Sequence, residues 1–323
     1  MSITTAPNDT TPNDTAAIDQ TAPVDLDVRP LTSVLGAEVH GLDLRTPPDA
    51  ELTAAIRAAL VEHKVLFFRG QELDRAQQVV FGRAFGPLTE GHPLQGSPEG
   101  FPEIMVVDSR RTSRAEGRGP DRPEFAPPRL TLAGWHTDIT FVVNPALGSI
   151  LRAVEVPAAG GDTLWTDLEA AYEDLSPAVR DLVDGLQAVH RWHGYDVDPK
   201  TGAAGAKPKA VHPVVRVHPE SGRRSLFVNP VFTRYLVGLS DRENEHLLRL
   251  LFEQVSRPEF TVRFRWEPGD IAFWDNRSTA HLGPVDAAVT THDRVLERVT
   301  IVGDEPVGPN GFVSRSLRGE RFS

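Results

Sequence analysis

Apolar positions along this chain fall into short buried runs broken by turn residues, with a few stripes at helical spacing. Leu52, Ile56, Leu60 and Val61 recur at helical spacing behind Pro47-Pro48-Asp49, which predicts a helix. Val65-Leu66-Phe67-Phe68 reads as a buried strand closed by Gly70. A second helix is expected from Asp74 to about Ala84, and Ile104–Val107 as a further strand. Strands follow at Ser149–Val156 and Thr163–Trp165, then helices at Asp167–Leu175 and Ser176–Leu186. Val214–Val217 and Leu226–Val228 flank a turn and predict a hairpin. Ser240 followed by Glu243 is a capping box opening an amphipathic helix to Val255. Strands at Phe260–Trp266, Ile271–Trp274 and Val295–Val302 complete the series. Many short strands with helices placed early and midway do not match a doubly wound α/β protein. They predict a mainly β fold with flanking helices, a β-sandwich or jelly roll.

Three stretches lack this patterning. Residues 1–25, rich in Thr, Pro, Asn and Asp, have almost nothing to bury and are expected to be a disordered tail. Residues 109–132 hold six arginines among glycines and prolines, which reads either as a lid that attracts an anion or as a solvated loop. Residues 195–209 read as a flexible excursion. One domain over 26–312 and a C-terminal tail over 313–323 are expected.

Composition narrows the chemistry. The 323 residues carry a net charge of −11, so there is no general basic footprint for nucleic acid. With no cysteine, thiolate metal sites, iron–sulfur clusters and cysteine nucleophiles are excluded, and any metal must sit on His, Asp or Glu. No apolar run approaches the roughly 18 residues of a membrane span. The N-terminus lacks a secretory pattern, so a cytoplasmic location is expected. On a strand, His136 and Asp138 would project to one face and could grip one metal ion. A distant His281 would complete a two-His-one-carboxylate triad, the ligand set of non-haem Fe(II) oxygenases. Such a pair also occurs as two polar residues on a surface strand. Arg294 and Arg298, four apart, would share a face of the last strand. Directed inward, they need anions, either ligands or protein carboxylates such as Glu297 or Asp293.

Six segments in order carry a resemblance. They are Trp135–Phe141, Gly160–Trp165, His212–Arg216, Phe227–Asn229, Trp274–Arg277 and Arg298–Asp304. Together they resemble the taurine dioxygenase family of Fe(II)- and 2-oxoglutarate-dependent oxygenases, which includes alkylsulfatases and aryloxyalkanoate dioxygenases. The resemblance implies a double-stranded β-helix (jelly roll) with His136, Asp138 and His281 on Fe(II). It implies Thr163 and Arg294 on the distal carboxylate of 2-oxoglutarate, and Arg298 and His92 on the acidic group of the substrate, with Phe232 as an apolar wall. The implied reaction uses O2 and 2-oxoglutarate to hydroxylate a C–H bond of a small organic anion. A carbon bearing sulfonate, sulfate or ether oxygen would then release that group. Taurine-specific members carry Asn and Tyr where this chain has Leu132 and Gln95, which favours a larger or more apolar anion. Alternatives are a hydroxylase of a carboxylate- or phosphate-bearing metabolite and a non-catalytic metal-binding jelly roll. The expected partners are the small anion and further copies of the chain, with neither nucleic acid nor membrane.

Overall fold

The computed structural model describes residues 25–90, 97–108, 134–192, 207–283 and 294–322. The tail before residue 25, the 109–132 segment, His92, Gln95 and Leu132 lie outside them, as does all but the end of the 195–209 excursion. Strands β1 (Asp27–Pro30) and β2 (Ala37–His40) lead to helix α1 (Ala50–His63), which Asp49 caps by accepting from the Leu52 amide. β3 (Val65–Phe68) is followed by α2 (Arg75–Arg83), opened by a capping box of Asp74 and Gln77. Then come β4 (Met105–Asp108), β5 (Gly148–Glu155) and β6 (Thr163–Asp167). Helices α3 (Leu168–Glu173) and α4 (Pro177–Asp184) precede β7 (Gln187–Arg191), β8 (Lys209–Pro213), β9 (Val215–Val217), β10 (Arg224–Leu226) and β11 (Thr233–Leu236). Helix α5 (Asp241–Val255) carries the capping box read from Ser240 and Glu243. β12 (Thr261–Phe264), β13 (Ile271–Asp275), β14 (Thr279–Leu282), β15 (Val295–Ile301) and β16 (Arg315–Arg318) follow.

The central sheet has the order β1-β2-β3-β13-β5-β15-β4. Its pairs are antiparallel except β2 with β3. Side chains alternate across a sheet, so the strands β3, β13, β5 and β15 feed two cores. Leu66, Phe68, Ile150, Phe273 and Val299 pack under α1 and α2 with Ile56, Leu60 and Phe81. Val65, Phe67, Leu151, Trp274 and Leu296 face the other way, against Trp165, Val262 and Phe264 of a second sheet, β12-β6-β14, and Trp266 just beyond β12. Each such side chain, fully buried, contributes about 1.5–3 kcal/mol. The result is a mainly β molecule, two sheets face to face with helices outside. A third sheet, β11-β7-β8-β16, packs with α3 and α5 around Leu168, Tyr172, Ala188, Leu236 and Leu251. Residues 313–322, read from the sequence as a tail, supply its edge strand β16. Among the described residues no helix is long and apolar enough to cross a membrane.

The turn joining β13 to β14 aims the site and is built from charge. Arg277, buried, donates twice to Asp275 (2.8 and 2.6 Å) and pairs with Glu220, which Arg57 of α1 shares at 2.8 Å. Burial alone would raise the Asp275 pKa, but Arg277 and then His218 outweigh it and hold the group well below the carboxylate range.

Two buried histidines predict that stability falls in acid. Burial pushes the His212 pKa down to about 3, and burial together with His212 holds His190 well below its ordinary value. Both are neutral when folded, whereas in the unfolded chain they protonate below about pH 6.5. The unfolded state therefore binds more protons, and stability falls as pH drops from about 6.5 towards 3. Urea unfolding at pH 5 rather than 7 should show a loss on the order of 2 kcal/mol from His212 alone. His212→Gln should flatten that dependence.

Candidate metal centre

His281 lies on β14, and His136 meets it through a two-bond antiparallel bridge. The His136 amide donates to the His281 carbonyl at 3.0 Å, and the His281 amide returns a bond of 2.7 Å. This sets the two imidazoles side by side with centroids 4.2 Å apart. The sequence reading placed His136 and Asp138 on one extended strand, and the structure differs. Past His136 the chain leaves the bridge and turns, with Ile139 at φ +48°. A β-branched residue in the left-handed region costs roughly 1–2 kcal/mol and persists only where its surroundings hold it. Here Thr137 Oγ1 donates to the Thr279 carbonyl at 2.8 Å, and the Asp138 amide donates to Asn276 Oδ1 at 3.3 Å. The carboxylate still converges. Asp138 Oδ1 lies 4.0 Å from His136 Nε2 and 3.9 Å from His281 Nε2.

The electrostatics suit a divalent cation. His136 Nδ1 is 2.9 Å from the Gly134 carbonyl, so Nδ1 carries the proton and Nε2 presents a lone pair. Burial lowers the pKa of both histidines and keeps them neutral, the form that binds metal. Burial would raise Asp138, yet Arg298, then His281 and His136, outweigh it and leave the group well below the carboxylate range. Ser149 Oγ donates to Asp138 Oδ2 at 2.8 Å and accepts from Asn276 Nδ2 at 3.0 Å. Among the described residues these three form the one cluster able to hold a metal, their donor atoms within 4.8 Å of one another. Two neutral imidazoles and one carboxylate on one side of an ion are the donor set suited to Fe(II), with positions left for a chelating co-substrate and dioxygen.

Both arginines read from the sequence point inward. Arg294 Nε donates to the Gly161 carbonyl at 2.7 Å and Nη2 to Thr163 Oγ1 at 3.2 Å, while Trp266 Nε1 also reaches Thr163 Oγ1 at 2.9 Å. Gly161 is left-handed at φ +73°, and a Cβ there would lie 3.0 Å from Arg294 Cδ, so glycine is required. Since His281 pairs with Trp165 and Thr163 is two residues from it, Thr163 and His281 share a sheet face. Arg298 Nη1 donates to Asp138 Oδ1 at 2.5 Å. Glu297 takes no part. It faces the opposite side of β15 and pairs with Arg75 (2.6 Å) and Arg152 (2.5 Å).

Phe232 stands edge-on to His136 with centroids 6.1 Å apart. Phe141 packs on it at 5.1 Å and Trp192 stacks on it at 6.1 Å, forming an aromatic wall beside the centre. The sequence reading did not single out Ser149, Asn276, Phe141 or Trp192. Asn276 stood within a recognised segment, and Ser149 was the one polar residue opening a buried strand, but neither carries chemistry by its type.

Comparison with known proteins agrees with this geometry. A family model described as "Taurine catabolism dioxygenase TauD, TfdA family" matches residues 27–300. An "Alpha-ketoglutarate-dependent sulfate ester dioxygenase" of Pseudomonas putida is 40% identical over 314 residues, covering 92% of this chain and 97% of the relative. An "Alkylsulfatase" of Acinetobacter baylyi is 37% identical, covering 90% of this chain and 89% of its own. The crystal structure of a taurine dioxygenase from Burkholderia xenovorans superposes with a TM-score of 0.79 at 45% identity, covering 91% and 95% of the two chains.

Proposed function

Because this chain belongs to the taurine catabolism dioxygenase TauD, TfdA family, we propose that it hydroxylates a C–H bond of a small organic anion, an alkyl sulfate ester or sulfonate in the first place. The chain is a 2-oxoglutarate-dependent non-haem iron dioxygenase, and its fold is read as the double-stranded β-helix (jelly roll) with residues 26–312 as the catalytic domain. One observation carries the assignment of the site: His136, Asp138 and His281 present three donor atoms within 4.8 Å of one another. When bound, Fe(II) with 2-oxoglutarate and O2 supplies oxidative decarboxylation to succinate and CO2 coupled to hydroxylation.

The chain's own residues do the rest. His136, Asp138 and His281 would hold the iron, with the proton on His136 Nδ1 kept away from it by the Gly134 carbonyl. Arg294 and Thr163, already in contact, would receive the distal carboxylate of 2-oxoglutarate, since a guanidinium and a hydroxyl together match its two oxygens. Arg298 reaches the edge of the same site and would bind the acidic group of the substrate. His92 belongs to the same reading but lies outside the described residues. Phe141, Trp192 and Phe232 would exclude water and pack against an apolar tail, which supports an alkyl chain over a short amino-bearing one. Hydroxylation at the carbon bearing sulfate gives a hemiacetal-like product that releases sulfate and leaves an aldehyde. A cytoplasmic location and assembly with further copies of the chain complete the reading.

The test supplies Fe(II), 2-oxoglutarate and O2 with medium-chain alkyl sulfates, alkyl sulfonates or taurine, and follows succinate. Alkyl sulfates should give a higher kcat/KM than taurine by at least about tenfold, the worth of roughly two buried methylenes. A preference for taurine would contradict the substrate assignment.

A further inference from the structure

Beyond the donor set, the interior holds a polar cluster that the chemistry above leaves unused: Thr140, His190, His212, Asn229, Thr233 and Ser314, all buried. Its centre is Thr140, two residues after Asp138. Thr140 Oγ1 lies 2.9 Å from His190 Nδ1 and accepts from Asn229 Nδ2 at 3.2 Å. His190 Nε2 lies 3.2 Å from Thr233 Oγ1, and that hydroxyl accepts from the Asn229 amide at 2.9 Å. His212 Nε2 donates to the Thr140 carbonyl at 2.8 Å. Its Nδ1 lies 2.8 Å from Ser314 Oγ, which itself donates to the Pro306 carbonyl at 2.9 Å. Each imidazole has a polar partner beside both of its nitrogens, and burial lowers the pKa of each.

The placement of these groups matters more than their number. His190 is on β7 and His212 on β8, directly across from Ala210 and Ala188 of the third sheet. Ser314 precedes the edge strand β16 of that sheet. Phe227 stacks on His190 at 5.8 Å and meets His212 edge-on at 5.3 Å, which fixes both rings. A turn whose own backbone is strained at Ile139 is thus tied, through the oxygens of Thr140, to a sheet that contributes no donor atom. Burying this many polar groups is unfavourable unless each is paired, and apolar side chains of similar volume would stabilise the core as well. What a fully paired cluster adds is a single geometry.

We propose that His190 and His212 are positioning residues for the metal centre. Acting through Thr140, they hold the Asp138–Ile139 turn so that the Asp138 carboxylate stays within reach of both ligand imidazoles. This rests on the reading of Asp138 as an iron ligand. Neither histidine touches the reacting groups. Ser149 and Arg298 fix the carboxylate oxygens, and the histidines fix the backbone that follows.

The test is anaerobic titration of the full-length chain with Fe(II) alone, beside the melting temperature of each metal-free variant. Thr140→Val removes the hydroxyl that His190 and Asn229 share, and His212→Leu removes the donor to the Thr140 carbonyl. Each should weaken Fe(II) binding about tenfold or more, the usual effect of losing an outer partner of a ligand. His212→Gln can still donate from its amide nitrogen to the Thr140 carbonyl and should stay within about threefold of wild type. If His212→Leu fails to fold, Thr140→Val decides alone. Unchanged Fe(II) affinity in Thr140→Val with a lowered melting temperature would overturn the proposal, because the cluster would then serve folding only. Absence of Fe(II) binding by the wild-type chain would overturn the ligand assignment beneath it, which is a separate outcome.

Discussion

Replacing Asp138 by alanine is expected to lower succinate formation by roughly 10³-fold or more, about 4 kcal/mol in the barrier. Asp138 supplies the one anionic donor of the cluster, and its Oδ1 faces both imidazole Nε2 atoms at about equal distance. Without it two neutral histidines remain, too few donors and no negative charge to hold Fe(II) firmly. The same change leaves Arg298, mostly buried, without its carboxylate, so some loss of stability is expected too. Denaturant unfolding of the metal-free variant separates the two effects. A folded Asp138→Ala enzyme with undiminished turnover would remove the carboxylate from the iron site.

Arg298→Leu is expected to raise KM for an alkyl sulfate by about 10- to 100-fold while changing KM for 2-oxoglutarate by less than about threefold. A charge-assisted hydrogen bond to an anion contributes about 1.5–3 kcal/mol, which sets that range. The asymmetry follows from where the two arginines stand. Arg294 is engaged with Gly161 and Thr163 on one flank, whereas Arg298 meets the ligand carboxylate itself. Arg298 also holds Asp138 ionised, so kcat should fall as well. Equal effects on the two KM values would mean that the arginines' roles have been exchanged or are shared.

The long amphipathic helices and the runs buried on both faces were legible in the chain. Ser240–Val255 and Val65–Phe68 need little beyond a capping box and an unbroken apolar run. Strands β7 and β8 are not predicted by the sequence, because their short buried runs include His190 and His212, which read as polar surface unless a partner network is known. β16 escaped for the opposite reason: as an exposed edge strand it lacks the alternation that marks a half-buried one. At the site, residue type was enough to name the candidates. His136, Asp138, His281, Thr163, Arg294 and Arg298 carry their chemistry in their side chains. The path that joins them is tertiary. That Asp138 sits in a strained turn rather than on a strand depends on Asn276 and Ser149, which are distant in sequence. That Glu297 and Arg298 face opposite sides follows from strand alternation, but that they meet Arg75 and Asp138 is set by tertiary packing, which no local pattern encodes.

The most direct measurement is the stoichiometry of the wild-type enzyme with a medium-chain alkyl sulfate. Succinate and sulfate should appear one for one, together with the aldehyde, and only when Fe(II), 2-oxoglutarate and O2 are all present. Removing the metal with a chelator should stop both products together. Sulfate released without 2-oxoglutarate or O2 would mean that His136, Asp138 and His281 serve hydrolysis, and the dioxygenase reading would be contradicted.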